Sequence, residues 1–305
     1  MFAGIDVSKN WVDVALAESE AGLDRASPAK AAKWLKRRGV CLVALEATGG
    51  YELPMLHALA REKIPVARLN PRRVRQFAGA LGKEAKTDRT DARVLAQNAR
   101  MVQPEPLTLP ARELMHLRAL CARRRELIAM RTQERNRRHQ ATDPWIQASI
   151  ETMLDRLAQL IHEIEQAVRD FFAAQPELGA LRRRLCTMPG IGPVTAASLI
   201  AWMPELGAAT RGEIAALAGL APFARQSGVW QGKAFCSGGR TPVREVLYMA
   251  ALSAVRGGNP LGTRYRMLRE KGKAHKVAMV AVMRKMLVIL NAMVQKQTDF
   301  VPLAT

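Results

Sequence analysis

The spacing of apolar residues divides the chain into three regions, and the first, up to about residue 108, alternates between strand and helix patterns. Phe2–Val7 and Val12–Ala17 are short runs rich in β-forming residues, and the polar Ser8–Asn10 separates them. This arrangement predicts a β-hairpin. Later strand runs are separated by helical spacing, so we expect a mixed sheet with helices packed on it.

The remaining elements of the first region follow from apolar runs and from helix caps. Gly39 is a suitable residue to end a helix, and Thr87 is a suitable N-cap to begin one. Helices are predicted over Pro28–Arg38, Leu53–Leu59 and Asp88–Met101, and strands over Val40–Leu45 and Pro65–Leu69.

The second region, from Ala111 to about Phe172, has helical spacing throughout. Leucines recur every three to seven residues, and Asp143-Pro144 interrupts the pattern once. A residue that precedes proline is biased away from helix, so two helices are predicted. Their pairing would form a helical hairpin or a coiled-coil arm, and such arms commonly mediate dimerisation. Three domains are therefore expected: 1–108, 109–179 and 180–305.

The third region is predicted to be mainly short helices joined by glycine-rich loops. Met188–Thr195, followed by the apolar Ala196–Ile200, has helix-hairpin-helix character. A Gly-x-Gly turn at a helix start lets backbone N–H groups approach a phosphate. We therefore regard Gly190, Gly192 and Thr195 as candidate nucleic-acid contacts, although an ordinary interhelical loop would have a similar sequence.

Composition and charge narrow the class of protein. The 305 residues are 49% hydrophobic and 24% charged, as in globular proteins, and they carry a formal net charge of +20. Such a charge attracts polyanions, of which nucleic acid is the commonest. Arg284 and Lys285 interrupt the most apolar stretch, so a membrane span is not expected. Four widely separated cysteines and an N-terminus unlike a signal peptide indicate a cytoplasmic protein with reduced thiols.

Carboxylates at strand ends and at a helix start provide candidate metal ligands. Asp6 interrupts an apolar strand, Glu46 ends another, and Asp88 and Asp91 share one face at the start of a predicted helix. Singly, each acid is better explained by a salt bridge or by a helix N-terminus. In an RNase H-like layout all four would converge at one end of the sheet and hold one or two Mg²⁺.

Seven segments then resemble, in order, the DEDD-type transposases of the insertion-sequence one-ten family, which are relatives of the Piv DNA invertase. They cover nearly the whole chain, and the helical middle matches only in character. The segments are Gly4–Lys9, Glu46–Tyr51, Lys86–Arg93, Pro189–Ala196, Leu217–Pro222, Gln226–Gly228 and Val243–Ala250.

The resemblance implies a fold and a chemistry. It implies an RNase H/RuvC-like domain whose metal ligands are Asp6, Glu46, Asp88 and Asp91, and a C-terminal domain with a serine nucleophile at Ser227. It also implies recombination of donor and target DNA, guided by a structured RNA. The chemistry alone leaves Ser237 as suitable as Ser227, and most serines in glycine-rich loops are turn residues.

Basic side chains supply further candidate nucleic-acid contacts. A serine hydroxyl needs assistance to act as a nucleophile, and nearby cations would stabilise the negative charge that develops on a phosphate. Aromatic residues are only 5% of the chain, so contacts to the phosphate backbone are expected rather than base stacking. The candidates are Arg225, Lys233, Arg240 and Arg244, with Arg124, Arg131, Arg135 and Arg138 along one predicted helix face.

The sequence as a whole predicts an RNase H-like α/β domain, a helical arm and a mainly α basic domain. The predicted function is Mg²⁺-dependent DNA transposition through Ser227, in a dimer or tetramer. Two alternatives remain open: a structure-selective nuclease or junction resolvase that uses water, and a non-catalytic nucleic-acid-binding relative.

Overall fold

The computed structural model divides into two compact units, residues 1–109 and 110–305. It describes residues 1–82, 88–107, 112–223, 226–227, 230–231 and 235–301. Only the backbone is described for residues 88, 89, 112, 223, 226, 227, 230 and 231. The predicted helix cap Thr87 lies outside the described residues. The helical hairpin belongs to the second unit, and the three-domain division stays a prediction.

The first unit is built on a five-stranded mixed sheet in the order β3-β2-β1-β4-β5. Strand β1 pairs with β2 in antiparallel fashion and with β4 in parallel fashion, and β4 and β5 are also parallel. The predicted mixed sheet is confirmed, and this is an RNase H-like arrangement. The strands are β1 (Phe2–Val7), β2 (Val12–Leu16), β3 (Gly22–Ala26), β4 (Leu42–Glu46) and β5 (Val66–Leu69).

Helices cover both faces of this sheet because its central strand is apolar on both sides. Ala3 and Ile5 of β1 pack in one cluster with the first two helices, whereas Phe2 packs in another with the third and fourth. Strand β3 and the third helix were not predicted, since both are largely polar and exposed. The helices are α1 (Pro28–Arg37), α2 (Leu53–Arg61), α3 (Pro71–Ala80) and α4 (Asp88–Val102).

The second unit begins with two long antiparallel helices, α5 (Arg112–Gln140) and α6 (Pro144–Ala174). The predicted break is confirmed, because Asp143 caps α6 by accepting a hydrogen bond from the backbone N–H of Ile146 at 3.1 Å. Leu127 of α5 packs with Leu157 and Ile161 of α6. That the pair forms a coiled coil stays a prediction.

The core of the second unit is assembled from the other helices. They are α7 (Pro176–Cys186), α8 (Pro193–Trp202), α9 (Arg211–Leu217), α10 (Thr241–Ala254), α11 (Pro260–Glu270) and α12 (His275–Lys296). Among the described helices, α12 alone is long and apolar enough to cross a membrane. Its Met279, Met286 and Leu290 are fully buried in the core, which accounts for its hydropathy.

Four two-residue strands lie between α9 and α10 and were not predicted. They are β6 (Pro222–Phe223), β7 (Gln226–Ser227), β8 (Trp230–Gln231) and β9 (Phe235–Cys236). Strand β6 pairs with β9, and β7 pairs with β8, which lie between β6 and β9 along the chain. The two pairings are nested, and these four strands are called the extension below.

Candidate functional site

The register of the sheet brings two of the predicted acids together. Ile5 is paired with Leu45 in the parallel β1/β4 ladder, so Asp6 and Glu46 follow as neighbours at the same end of the sheet. Side chains alternate along a strand, so Asp6 shares a face with Phe2, and Glu46 shares one with Ala44. Phe2 and Ala44 both pack against the α3/α4 layer. Asp6 and Glu46 therefore lie on the face that α4 covers.

Helix α4, which contains the other two predicted ligands, Asp88 and Asp91, packs closely on Gly4. A Cβ atom on Gly4 would overlap the carbonyl oxygen of Ala92 and the nitrogen of Ala96, so the helix backbone lies directly on the strand. Ala99, further along α4, packs in the same cluster as Phe2. The helix thus runs antiparallel to β1, and its first turn, with Asp88 and Asp91, lies toward the Asp6 end.

This end of the sheet suits a hard divalent cation in its donor chemistry. Carboxylate oxygens are the ligands that Mg²⁺ prefers in proteins. No group of three His, Cys, Asp or Glu side chains poised to hold a metal occurs among the described residues, which exclude the side chain of Asp88. The four-ligand site therefore stays a prediction, supported by backbone placement and donor type.

A fifth carboxylate, Asp13, was not singled out from the sequence. It is directly opposite Asp6 in the antiparallel β1/β2 ladder and is only 6% exposed. Directly opposite residues project from the same face of a sheet, so Asp13 also lies on the α4 side. Its Oδ1 accepts a hydrogen bond from the backbone N–H of Arg25 at 2.9 Å. The acid in Val12-Asp13-Val14 was the available signal, because it interrupts an apolar strand as Asp6 does.

The loop after Glu46 is held by a buried carboxylate, that of Glu52, which the sequence interpretation also missed. Glu52 is 3% exposed, and its Oε2 accepts hydrogen bonds from the backbone N–H groups of Thr48 at 3.2 Å and Gly50 at 2.8 Å. Arg68 lies 3.6 Å from its other oxygen. Burial raises the pKa of Glu52, but the hydrogen bonds outweigh burial and leave that pKa below its ordinary value.

The candidate nucleophile Ser227 lies in the paired extension of the second unit. Its backbone pairs with Trp230 in the inner of the two ladders. Its side chain, and the whole of Arg225 and Lys233, lie outside the described residues. Ser237 instead follows β9 at the base of the extension and is exposed.

Two glycine loops fix that base. A Cβ on Gly219 would be 2.9 Å from the carbonyl carbon of Gly238, and one on Gly239 would be 2.5 Å from the Cα of Gly219. Both glycines have positive φ, so only glycine allows this approach without strain. Ser237 is adjacent to this contact, whereas Ser227 lies farther out along the extension.

The predicted glycine turn connects α7 to α8. Gly190 has φ +85°, and a Cβ there would be 3.0 Å from the Cβ of Ala254 in α10. Gly192 is the N-cap of α8, provides no side-chain cap, and is exposed together with Val194. Gly190 is thus required for packing and Gly192 leaves the helix start accessible, whereas the helix-hairpin-helix assignment stays a prediction.

The arginines near α10 are engaged inside the unit. Arg240 makes two 2.5 Å contacts to the carboxylate of Glu205 and donates to the carbonyl of Trp202 at 2.7 Å. The Arg244 guanidinium donates to the carbonyl of Gly238 and to the Thr241 hydroxyl. Both therefore secure the loop that contains Ser237, and their predicted contacts to nucleic acid are untested.

The predicted arginine face of α5 is partly directed toward α6. Arg124 lies 2.7 Å from Glu165, and Arg138 lies 2.5 Å from Glu151. Arg131 and Arg135 lie between them on the same helix, and Arg135 is exposed. Both ends of this face therefore pair with carboxylates of α6, and contact of these arginines with nucleic acid stays a prediction.

Comparison with known proteins identifies the chain's relatives. Residues 3–143 match a family described as transposase, and residues 182–266 match one described as transposase IS116/IS110/IS902 family. The pilin gene-inverting protein of Moraxella lacunata is 30% identical over 84% of this chain and 80% of its own length. The corresponding protein of Moraxella bovis is also 30% identical over 84% of this chain.

A third relative matches a shorter part of the chain. The insertion element IS110 43.6 kDa protein of Streptomyces coelicolor is 29% identical over 46% of this chain and 35% of its own length. These matches confirm the resemblance drawn from the ordered sequence motifs. The chain belongs to the transposase family of the insertion elements IS116, IS110 and IS902.

Proposed function

We propose that this protein cuts and rejoins DNA strands by phosphoryl transfer, with Ser227 as the nucleophile and Asp6, Glu46, Asp88 and Asp91 as the holders of Mg²⁺. The observation that carries the proposal is the convergence of β1, β4 and the start of α4 at one end of an RNase H-like sheet. Relatives that are named as a gene-inverting protein and as insertion-element proteins support DNA as the substrate.

The proposed chemistry conserves bond energy from cutting to rejoining. The Ser227 oxygen forms a bond to phosphorus as the bond from phosphorus to a sugar oxygen breaks, and the serine proton is transferred through solvent to that leaving oxygen. A hydroxyl of the second strand then displaces Ser227 in the reverse sense. Each step exchanges one phosphodiester for another, so no nucleoside triphosphate is required.

The acids of the first unit would provide the electrostatic part of catalysis. Mg²⁺ bound there would offset the negative charge that accumulates on the phosphate. Asp6, Glu46, Asp88 and Asp91 would supply its oxygen ligands. Asp13, buried beside Asp6, would restrict how the Asp6 carboxylate turns, and Glu52 would hold the loop that follows Glu46.

The partners in this proposal are DNA, a structured RNA and a second copy of the chain, in the cytoplasm. The net charge of +20 favours both nucleic acids. Self-association would use the end of the α5/α6 pair where the two helices are connected, because Trp145 is 75% exposed there and Ile146 and Met153 of α6 are also exposed. Apolar side chains grouped in this way commonly mark a protein interface.

Covalent capture tests the proposed nucleophile. The protein would be incubated with Mg²⁺, with the structured RNA transcribed from the DNA that flanks its gene (the flanking RNA), and with the DNA of its native insertion site. The mixture would then be denatured and examined for DNA that remains attached to protein. We expect an adduct from the wild type and from Ser237→Ala, and none from Ser227→Ala or Asp88→Asn. Peptide mapping of the adduct would identify the serine directly.

The other outcomes separate the alternative functions. Cuts without an adduct that require Asp88 but tolerate Ser227→Ala would indicate a nuclease that uses water. DNA binding without cuts or adducts, in the presence of the flanking RNA, would indicate a non-catalytic relative. An adduct that persists in Ser227→Ala and disappears in Ser237→Ala would place the nucleophile at the base of the extension.

A further inference from the structure

A cavity of about 630 Å³ in the second unit is not used by the proposed chemistry. It opens between α5, α6, α8 and α10, and its walls are largely apolar. Val168, Ala197, Trp202, Val246 and Met249 contribute these walls. Met249 is 64% exposed, although its neighbour Ala250 is in the core. Together with the exposed Val194, which lines the same cavity, Met249 leaves part of the apolar lining accessible to solvent.

The rim of this cavity is cationic. Arg124, Arg125, Arg169 and Arg182 line it. The first two pair with the carboxylates of Glu165 and Glu245, whereas Arg169 donates to the amide oxygen of Gln166. The guanidinium of Arg182 lies 4.5 Å from the centre of the Phe172 ring. Glu165 and Glu245 also line the cavity, so its four arginines outnumber its two carboxylates. Within the described part of the chain, Arg169 and Arg182 make no ion pair with a carboxylate.

The start of α8 adds a second anion-attracting feature to the same wall. Pro193, Val194 and Thr195 form its first turn and line the cavity. The N-cap Gly192 provides no side-chain acceptor for the N–H groups of that turn. Unpaired N–H groups at a helix start attract anions, and phosphate above all. Cationic side chains and the start of a helix thus lie beside the apolar walls of the cavity.

We propose that this cavity receives one unpaired nucleotide of a bound DNA strand. The base would lie against Trp202, Val246 and Met249, and its phosphate would contact Arg169, Arg182 and the start of α8. The volume falls within the range of about 300–1,000 Å³ that is usual for small-molecule sites. An apolar protein segment would fit the walls but leave Arg169 and Arg182 without an anionic partner. A nucleotide supplies an apolar base face and a phosphate together, so charge complementarity favours a nucleotide.

The inference rests on the proposed function, because it takes DNA to be the ligand. It also gives a role to the glycine turn. Gly190 positions the turn against α10, and α10 supplies Val246 and Met249 to the opposite wall. The turn would thus hold a displaced nucleotide, in addition to any contact with a duplex backbone.

A duplex that contains one unpaired 2-aminopurine tests the inference. Its affinity and fluorescence would be compared with those of the matched duplex at one fixed salt concentration. We expect the bulged duplex to bind at least about tenfold more tightly, with altered 2-aminopurine fluorescence, because contact of one base with an aromatic surface contributes about 1–3 kcal/mol. Arg182→Gln and Val246→Trp should remove this preference and leave binding of the matched duplex within about twofold.

Arg183→Gln is the matched control, since Arg183 is exposed on the same helix as Arg182 and does not line the cavity. Equal affinity for bulged and matched duplexes would overturn the inference but leave the proposed function standing. Failure to bind any duplex in the presence of the flanking RNA would instead count against the proposed function. Preference for a bulged RNA over the same bulged DNA, or self-association lost in Val246→Trp, would show that DNA is not the occupant.

Discussion

Gly4 in β1 lies directly beneath Ala92 in α4, so closely that a Cβ on Gly4 would be 2.7 Å from the carbonyl carbon of Leu95 as well as overlapping the Ala92 oxygen. Only a residue without a side chain permits this approach. The contact fixes how far α4 extends past the end of β1, and hence where the backbone of Asp88 and Asp91 lies relative to Asp6. Gly4, in the Gly4–Lys9 motif, therefore helps to set the layout of the predicted metal site.

Replacing Gly4 with alanine should destabilise the first unit. The added methyl group meets backbone atoms, which cannot move aside as a flexible side chain can, so we expect a loss of about 1–3 kcal/mol in the free energy of unfolding. Urea denaturation would measure it. Gly79→Ala is the control, since a Cβ there meets no described atom within 4 Å in helix α3. That variant should be neutral or more stable by about 0.5–1 kcal/mol.

Glu52→Gln should loosen the loop after Glu46 and make the folding stability of the protein less dependent on pH. The folded-state pKa of Glu52 is lowered from 4.5, so its carboxylate stabilises the fold above pH 4.5, and this contribution is lost as the pH falls through the lowered value. Wild-type stability should therefore fall more steeply than that of the variant in this acidic window. Parallel slopes in thermal unfolding at pH 3–6 would contradict the prediction. The exposed Glu105→Gln serves as control.

Two substitutions at Asp13 separate its structural role from its effect on Asp6. Asp13→Leu leaves the N–H of Arg25 without its acceptor and should cost about 1–3 kcal/mol of folding free energy. Asp13→Asn keeps the acceptor and removes a like charge opposite Asp6, so its stability should change by less than about 1 kcal/mol. Denaturation without metal measures both costs, and equal losses would show that the charge itself is needed for folding.

The Arg240–Glu205 pair should contribute to the stability of the second unit. The two residues make paired 2.5 Å contacts and are about two-thirds buried, so a double-mutant cycle of Arg240→Gln and Glu205→Gln should give a coupling energy of about 1 kcal/mol or more. Arg135→Gln, on the exposed part of α5, should leave stability unchanged. A coupling energy near zero would mean that the pair does not stabilise the unit, and nucleic-acid contact would be the remaining proposed role of Arg240.

The amino-acid sequence determined the features that depend on local patterns. Two β-rich runs on either side of a polar segment predicted the β1/β2 hairpin, and Asp143-Pro144 predicted the break between α5 and α6. The net charge indicated a polyanionic partner. Strand β3 and helix α3 were missed because few of their side chains are buried, so their apolar signal is weak. The short strands between α9 and α10 were missed because two-residue strands have no period to detect.

The tertiary structure decided which residues meet. Asp13 and Glu52 acquire importance from the strand register and from buried hydrogen bonds, which no spacing along the chain records. Tertiary packing likewise paired Arg240 with Glu205 and placed Arg182 in the lining of a cavity. The physical reason is that periodicity reports only which face of an element is apolar. Contacts between elements depend on packing distances, and a single glycine such as Gly4 can set those distances.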